Sequence, residues 1–270
     1  MKKILIPTDF SDNATNAALY GLSLFGKEEC DVILLNTFNI PYTGHDVIVT
    51  NNDKVQDDSK VHFDKLINKI NGELEGNNFR ITAEFHVGNL ETVINGIVED
   101  KQIDQVIMGT QGASGLKKVL IGSSTASVVG SVSTNLLAVP ENSVYSIPNK
   151  IVLAINDYND LNEEILAPLV SLAQHFDAEI MLYHVTDILD DKVPENLDVI
   201  YKYFSKVKHS VHSAFSDDAA FAIEEFAINE SANLLAVLRY QKGFFAKLFH
   251  KSLTKQMIYH AKLPMLVLNN

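Results

Sequence analysis

Val106-Ile-Met-Gly109-Thr-Gln-Gly112-Ala-Ser-Gly-Leu-Lys-Lys-Val-Leu-Ile-Gly122-Ser123-Ser124-Thr125 is the stretch on which the reading of this chain turns. It opens as an apolar run, breaks into glycines and resumes at a hydroxyl cluster that starts a new apolar-periodic segment. That succession describes a strand, a loop of phosphate size and a helix start. Glycine leaves no Cβ between a backbone N–H and an anion, and a helix N-terminus offers unpaired donors and the positive end of a dipole. Ser123, Ser124 and Thr125 suit N-cap positions and can equally donate to phosphate oxygens. The plainer alternative is a glycine-rich turn before an ordinary capped helix.

The spacing Gly109-x2-Gly112-x9-Gly122-Ser123 is neither a Walker loop, since no Gly-Lys-Ser/Thr follows, nor a dinucleotide Gly-x-Gly-x-x-Gly. It resembles the ATP-binding signature of the universal stress protein family. Lys2-Lys3-Ile-Leu-Ile-Pro7-Thr8-Asp9-Phe-Ser is similar to that family's first strand and its terminal Asp. The resemblance carries specific motifs from Met1 to about Pro140 and continues more weakly beyond.

Around these motifs the chain reads as alternating strands and helices. Ile4–Thr8 and Val32–Thr37 are continuous apolar runs, as in strands buried on both faces. Ser11 or Asp12 caps a helix carrying Ala14, Ala17, Ala18, Leu22 and Phe25. Residues 38–58 read as polar and irregular, followed by a helix with Val61, Leu66, Ile67 and Ile70 on its apolar stripe. Arg80–Val87 alternates as a third strand, Leu90–Val98 is helical, Gln105–Met108 is the fourth strand, Ser123–Ser133 the last helix and Leu136–Val139 the fifth strand. This alternation predicts a parallel sheet with right-handed crossovers. Ligands of such sheets bind beyond the carboxyl ends of the strands, at a switch in strand order. Asp9, Thr37 and Gly109 all fall on that edge.

The plan then repeats. Lys150-Ile-Val-Leu-Ala-Ile-Asn156-Asp157 parallels Lys3 to Phe10, and Glu179 to Val185 parallels Asp31 to Thr37. At an offset of 129 the closing segments align without gaps, Asp104 meeting Asn233 and Thr125 meeting Thr254. Two tandem domains, 1–142 and 149–270, are therefore expected. The second has lost the glycines: Gly109 becomes Leu238, Gly112 becomes Gln241 and Gly122 becomes Lys251, with Ser123 kept as Ser252. Pro7 becomes Ala154 and Asp9 aligns with Asn156, Asp157 lying one residue late. Side chains at such turns block close approach of phosphate, so the second site reads as degenerate. Phe244, Phe245, Leu248 and Phe249 read first as packing over that disused site, and otherwise as an aromatic surface for a partner or a fatty ligand.

Composition narrows the partners. Of the 270 residues 46% are hydrophobic and 21% charged, which is ordinary for a globular protein, and the net charge is -12. That charge, split as -7 and -5 between residues 1–148 and 149–270, argues against nucleic acid or an anionic membrane as partner. Phosphate would be neutralised locally, by backbone donors, lysines or a metal ion. The lone Cys30 allows no internal disulfide and reads as a buried thiol of a reducing cytosol. No run reaches the length of a membrane span, and Ile4-Leu5-Ile6 is too short for a signal h-region. The protein therefore reads as cytoplasmic. His209 and His212 read as one helix's solvated face near Asp217 and Asp218, and His184 as core or pocket lining.

The resemblance implies more. Each half would be an adenine-nucleotide-alpha-hydrolase-like (Rossmann-like) α/β domain with a five-stranded parallel sheet and helices on both faces. The halves would pair as a pseudo-dimer through Leu136–Val139 and Leu263–Leu268, with a homodimer beyond. ATP would be the ligand, escorted by Mg2+ or Mn2+. Asp9 would hold adenosine, Pro7 and Thr8 would shape that wall, and backbone at Thr37 would touch adenine. Gly109 and Gly112 would admit the ribose-phosphate portion, Met108 would also belong to the binding residues, and Gly122, Ser123, Ser124 and Thr125 would donate to the β- and γ-phosphates. No water-positioning carboxylate or Gln is assignable. The implied protein is a binder or switch and not an enzyme, with very slow hydrolysis at most. A nucleotidyl transferase and a nucleotide-free scaffold are the rival classes.

Overall fold

The computed structural model describes residues 1–26, 29–38, 52–110, 123–155, 161–186, 198–239 and 263–269, apart from the side chains of 52–57, 123 and 198–200. The chain divides into two compact units, with the break between Tyr145 and Ser146. In the first unit the order is β1 (Lys2–Pro7), α1 (Asp12–Phe25), β2 (Cys30–Phe38), α2 (Asn52–Glu73), β3 (Phe79–Val87), α3 (Leu90–Lys101), β4 (Gln105–Gly109), α4 (Ser123–Ser131) and β5 (Asn135–Val139). The strands lie in the order β3-β2-β1-β4-β5, and every pairing among them is parallel. The chain runs outward from β1 to β3, then crosses to β4. The switch in strand order therefore falls between β1 and β4, where a crevice opens beyond the carboxyl ends.

Burial explains why these runs are strands. Ile4, Leu5, Ile6, Val32, Leu34, Leu35, Val106, Ile107, Leu136 and Leu137 are fully or almost fully enclosed, because helices cover both faces of the sheet. Ser11 is the residue that caps α1, its side chain accepting from Ala14 N at 3.2 Å. Asn89 does the same for α3, accepting from Thr92 N.

The second unit holds β6 (Lys150–Ile155), α5 (Glu163–Phe176), β7 (Glu179–Thr186), α6 (Asp198–Phe204), β8 (His209–Phe215), α7 (Ala219–Asn229), β9 (Leu234–Leu238) and β10 (Met265–Leu268). Its strands are ordered β10-β9-β6-β7-β8, again parallel throughout. The repeat extends to individual hydrogen bonds. Asp104 Oδ2 accepts from Lys3 N at 2.8 Å, and Asn233 Oδ1 accepts from Lys150 N at 3.2 Å. The Lys3 ammonium donates to the carbonyl of Lys101 and that of Lys150 to the carbonyl of Glu230. Thr110 N donates to Val139 O as Arg239 N donates to Leu268 O. The two copies share these pairings, and each satisfies a backbone donor or acceptor at the end of a strand.

Three expectations are corrected. Helix α2 starts at Asn52, well before Val61, and Val61 is 53% exposed while Phe63, Leu66 and Ile70 are buried. The first turns carry Asp53, Asp57 and Asp58, which suit a helix N-terminus but show no apolar period to betray a helix. His209 and His212 lie on strand β8, so an odd spacing sends them to opposite faces. His209 Nδ1 lies 3.0 Å from Val207 O and His212 Nε2 lies 2.9 Å from Ser210 Oγ. Asp218 is the N-cap of α7 and not merely part of a polar face. Cys30 is fully buried, as expected.

Asn233 ties the start of β6 to β9 through Asn149 N and Lys150 N, and donates to Ser146 Oγ. Asn233→Ala is expected to destabilise the second unit by about 1–3 kcal/mol in chemical denaturation. Asn233→Asp, which copies Asp104, is expected to retain most of that stability.

Candidate functional site

The turn that leaves β1 is built from its own side chains. Thr8 is 6% exposed, and its Oγ1 accepts from Phe10 N at 3.0 Å. Asp9 Oδ1 accepts from Ser11 N at 3.1 Å, and Ser11 then caps α1. These short-range bonds replace ladder partners where the sheet ends. Phe10 is bent into the left-handed region with φ 62°, unusual for an aromatic residue, and its ring stacks on His62 at 5.1 Å and meets Phe63 edge-on at 5.0 Å. The strained turn thereby presents Asp9, which is exposed, at the carboxyl edge.

The neighbouring strand ends converge on this turn. Asn36 Nδ2 donates to Thr8 O at 2.7 Å, fixing β2 to the end of β1. Thr37 lies two residues past Leu35, the partner of Pro7, so β2 overhangs β1 at this edge while still pairing with β3. On the other side of β1, the Thr125 hydroxyl of α4 donates to Gly109 O at 2.9 Å and is 3% exposed. That bond seats the first turn of α4 on the end of β4. Ser124, next to it, is exposed. Pro7 and Met108 are buried and belong to the floor beneath the edge.

The Thr125 hydroxyl donates to Gly109 O and so anchors α4. The space where a Cβ of Gly109 would stand is taken by Asn13 of α1, with Nδ2 2.7 Å away. Alternation along β4 turns Ile107 and Gly109 toward α1 and Met108 toward the opposite face. Gly112 and Gly122 lie outside the described residues, as do Asn156, Asp157, Gln241, Lys251, Ser252 and the Phe244 to Phe249 cluster. Ser123 is the first residue of α4.

Asn13 and Phe10 are residues of this edge that sequence reasoning passed over. Asn13 left a signal: it shares a buried helix face with Ala17 and Gly21, and it is the one polar member at the edge end of that face. Asn36 occupies the position that His184, 6% exposed, takes in the second unit.

The equivalent edge of the second unit differs in chemistry. Ala154 stands for Pro7, and Leu238, 4% exposed, fills the position of Gly109. Arg239 takes the place of Thr110, half-buried, and burial holds its guanidinium below the ordinary value. Among the described residues no three His, Cys, Asp or Glu side chains gather as a metal site, and no helix is long and apolar enough to cross a membrane.

Comparison with known proteins gives a consistent result. The profile of the universal stress protein family matches residues 1–140. Universal stress protein MJ0577 of Methanocaldococcus jannaschii is 30% identical over 152 residues, covering 51% of this chain and 94% of that protein. Universal stress protein MJ0531 of the same organism is 26% identical over 139 residues, covering 51% of this chain and 81% of that protein. The solved universal stress protein of Archaeoglobus fulgidus DSM 4304 covers 99% of this chain and 96% of its own, with a TM-score of 0.78 and 20% identity, a likeness of fold.

Thr125→Val keeps the shape but removes the donor to Gly109 O. Thermal unfolding is expected to show a loss of about 1–3 kcal/mol, and Thr125→Ser is expected to recover most of it.

Proposed function

We propose, given that the chain belongs to the universal stress protein family, that its first unit is an ATP-binding module with one working site and that the second unit binds no nucleotide in the equivalent place. The observation that carries this reading is the meeting of two features at the β1–β4 switch point, joined by a sequence motif. Asp9 is exposed at the end of β1, the end of β4 is bonded to the first turn of α4, and the sequence between them holds Gly112 and Gly122 at the motif spacing.

The residues present suit the group. An exposed carboxylate can accept from ribose hydroxyls, and the overhang of β2 at Thr37 offers backbone to an adenine edge. The N-terminus of α4, with Ser123 and Ser124, offers N–H and hydroxyl donors to phosphate. Bound nucleotide would supply charge and adenine recognition. Mg2+ or Mn2+ would escort it on phosphate oxygens and water, as hard cations do. With no water-positioning group assigned, the proposed activity is binding that reports nucleotide level, and hydrolysis is slow at most. The second unit, with Leu238 and Arg239 on its edge, serves as structural companion.

The test is calorimetric titration of the full chain with Mg2+·ATP. Asp9→Ala and Gly122→Val are each expected to weaken binding about tenfold or more, the loss of one or two good ligand contacts. Leu238→Gly should destabilise the second unit, because it empties a core position, yet leave the affinity unchanged. Binding that survives Gly122→Val and falls with Leu238→Gly would place the site in the wrong unit.

A further inference from the structure

Gly109 has no conformational reason to be glycine. Among the described residues only Gly76 and Gly88 are glycines in the left-handed region. Its reason is space, and the chain itself occupies that space. A Cβ at 109 would stand 2.7 Å from Asn13 Nδ2, 3.0 Å from Asn13 Cγ and 3.2 Å from Asn13 O, closer than real Cβ atoms tolerate for the first. Asn13 is 5% exposed, so its amide cannot simply swing into solvent.

A second contact shows that this approach is a property of the whole helix. Two turns along α1, a Cβ at Gly21 would stand 2.5 Å from Ile107 Cδ1. Residues 107 and 109 share one face of β4, and residues 13 and 21 share one face of α1. Each contact pairs one glycine with one larger partner, and the glycine changes sides between them.

The second copy differs in sequence at all four of these positions. Ser11 and Asn162 are matching N-caps, each accepting from the backbone N–H three residues on. In that register Asn13 becomes Glu164 and Gly21 becomes Leu172, while the offset of 129 turns Gly109 into Leu238 and Ile107 into Ala236. Where the strand gains a side chain the helix loses its buried amide, and where the helix gains one the strand shrinks to alanine.

We propose that Asn13 is a positioning residue of the nucleotide site, acting through Gly109. Its buried amide sets the carboxyl end of β4 against the first turn of α1, and Thr125 holds the same glycine's carbonyl from α4. The missing side chain of the motif's first glycine therefore makes room for the helix. For what the site binds, this rests on the ATP reading above.

The experiment measures Mg2+·ATP affinity and melting temperature for the full chain with Asn13→Ala, Gly109→Ala and both together. Gly109→Ala is expected to lower the melting temperature and weaken ATP about tenfold, and adding Asn13→Ala is expected to bring both back to within about threefold of Asn13→Ala alone, a strong coupling. A double variant that recovers its melting temperature while its affinity stays lost would overturn the proposal, because the glycine would then serve the ligand. No change on Gly109→Ala, or recovery of neither quantity, would also overturn it. If Gly109→Ala alone does not fold, a folded, ATP-binding double variant supports the proposal and an unfolded one defeats it. Failure of the unmodified chain to bind ATP would instead defeat the ATP reading, with the melting temperatures still deciding the contact.

Discussion

Helix α1 approaches strand β4 more closely than ordinary side chains permit, and the edge of the first unit depends on that approach. Interiors are packed to crystal density, so a missing Cβ on one partner must be matched by an atom of the other. Gly21 receives Ile107 and Gly109 receives Asn13. The second of these meetings lies at the carboxyl end of β4, beside the switch in strand order. There the turn after β1, the end of β2 and the start of α4 are tied by Asn36 to Thr8 and by Thr125 to Gly109. A close helix–strand contact thus fixes the edge on which the proposed site lies, as a scaffold does for the loops it carries.

Much of the architecture was legible because parallel strands buried on both faces leave unbroken apolar runs. Ile4 to Ile6, Val32 to Leu35 and Leu136 to Val139 could be read directly, and the gap-free match of the closing segments at an offset of 129 exposed the duplication before any pairing was known. The start of α2 was hidden because its first turns are polar and propensity alone is a weak signal. Strand β8 was misread for a related reason: His209-Ser-Val-His-Ser-Ala-Phe alternates half-buried residues of mixed polarity instead of apolar and polar ones. The alternation of strands was enough to put Asp9 and Gly109 on the carboxyl edge. The contact of Asn13 with Gly109 was not legible, since it joins elements distant in sequence, and spacing carries no record of such contacts.

The two copies show what such a scaffold keeps when its edge chemistry changes. Hydrogen bonds that close ladder ends, from Asp104 or Asn233 and from Lys3 or Lys150, persist in both. These satisfy backbone groups that any copy of the fold must satisfy. Positions on the carboxyl edge diverge instead: Asn36 against His184, Thr110 against Arg239, Gly109 against Leu238. A buried leucine and a half-buried guanidinium make a different surface from a glycine held between Asn13 and Thr125.

The central claim, that nucleotide seats on the edge of the first unit alone, is read most directly by amide hydrogen exchange of the full chain with and without Mg2+·ATP. The account expects slowed exchange in residues 8–14, 105–110 and 123–127, where the turn after β1, the end of β4 and the first turn of α4 would be held by the ligand. Residues 234–239 should exchange at the same rate in both conditions. Slowed exchange at 234–239 with none at 105–110 would contradict it.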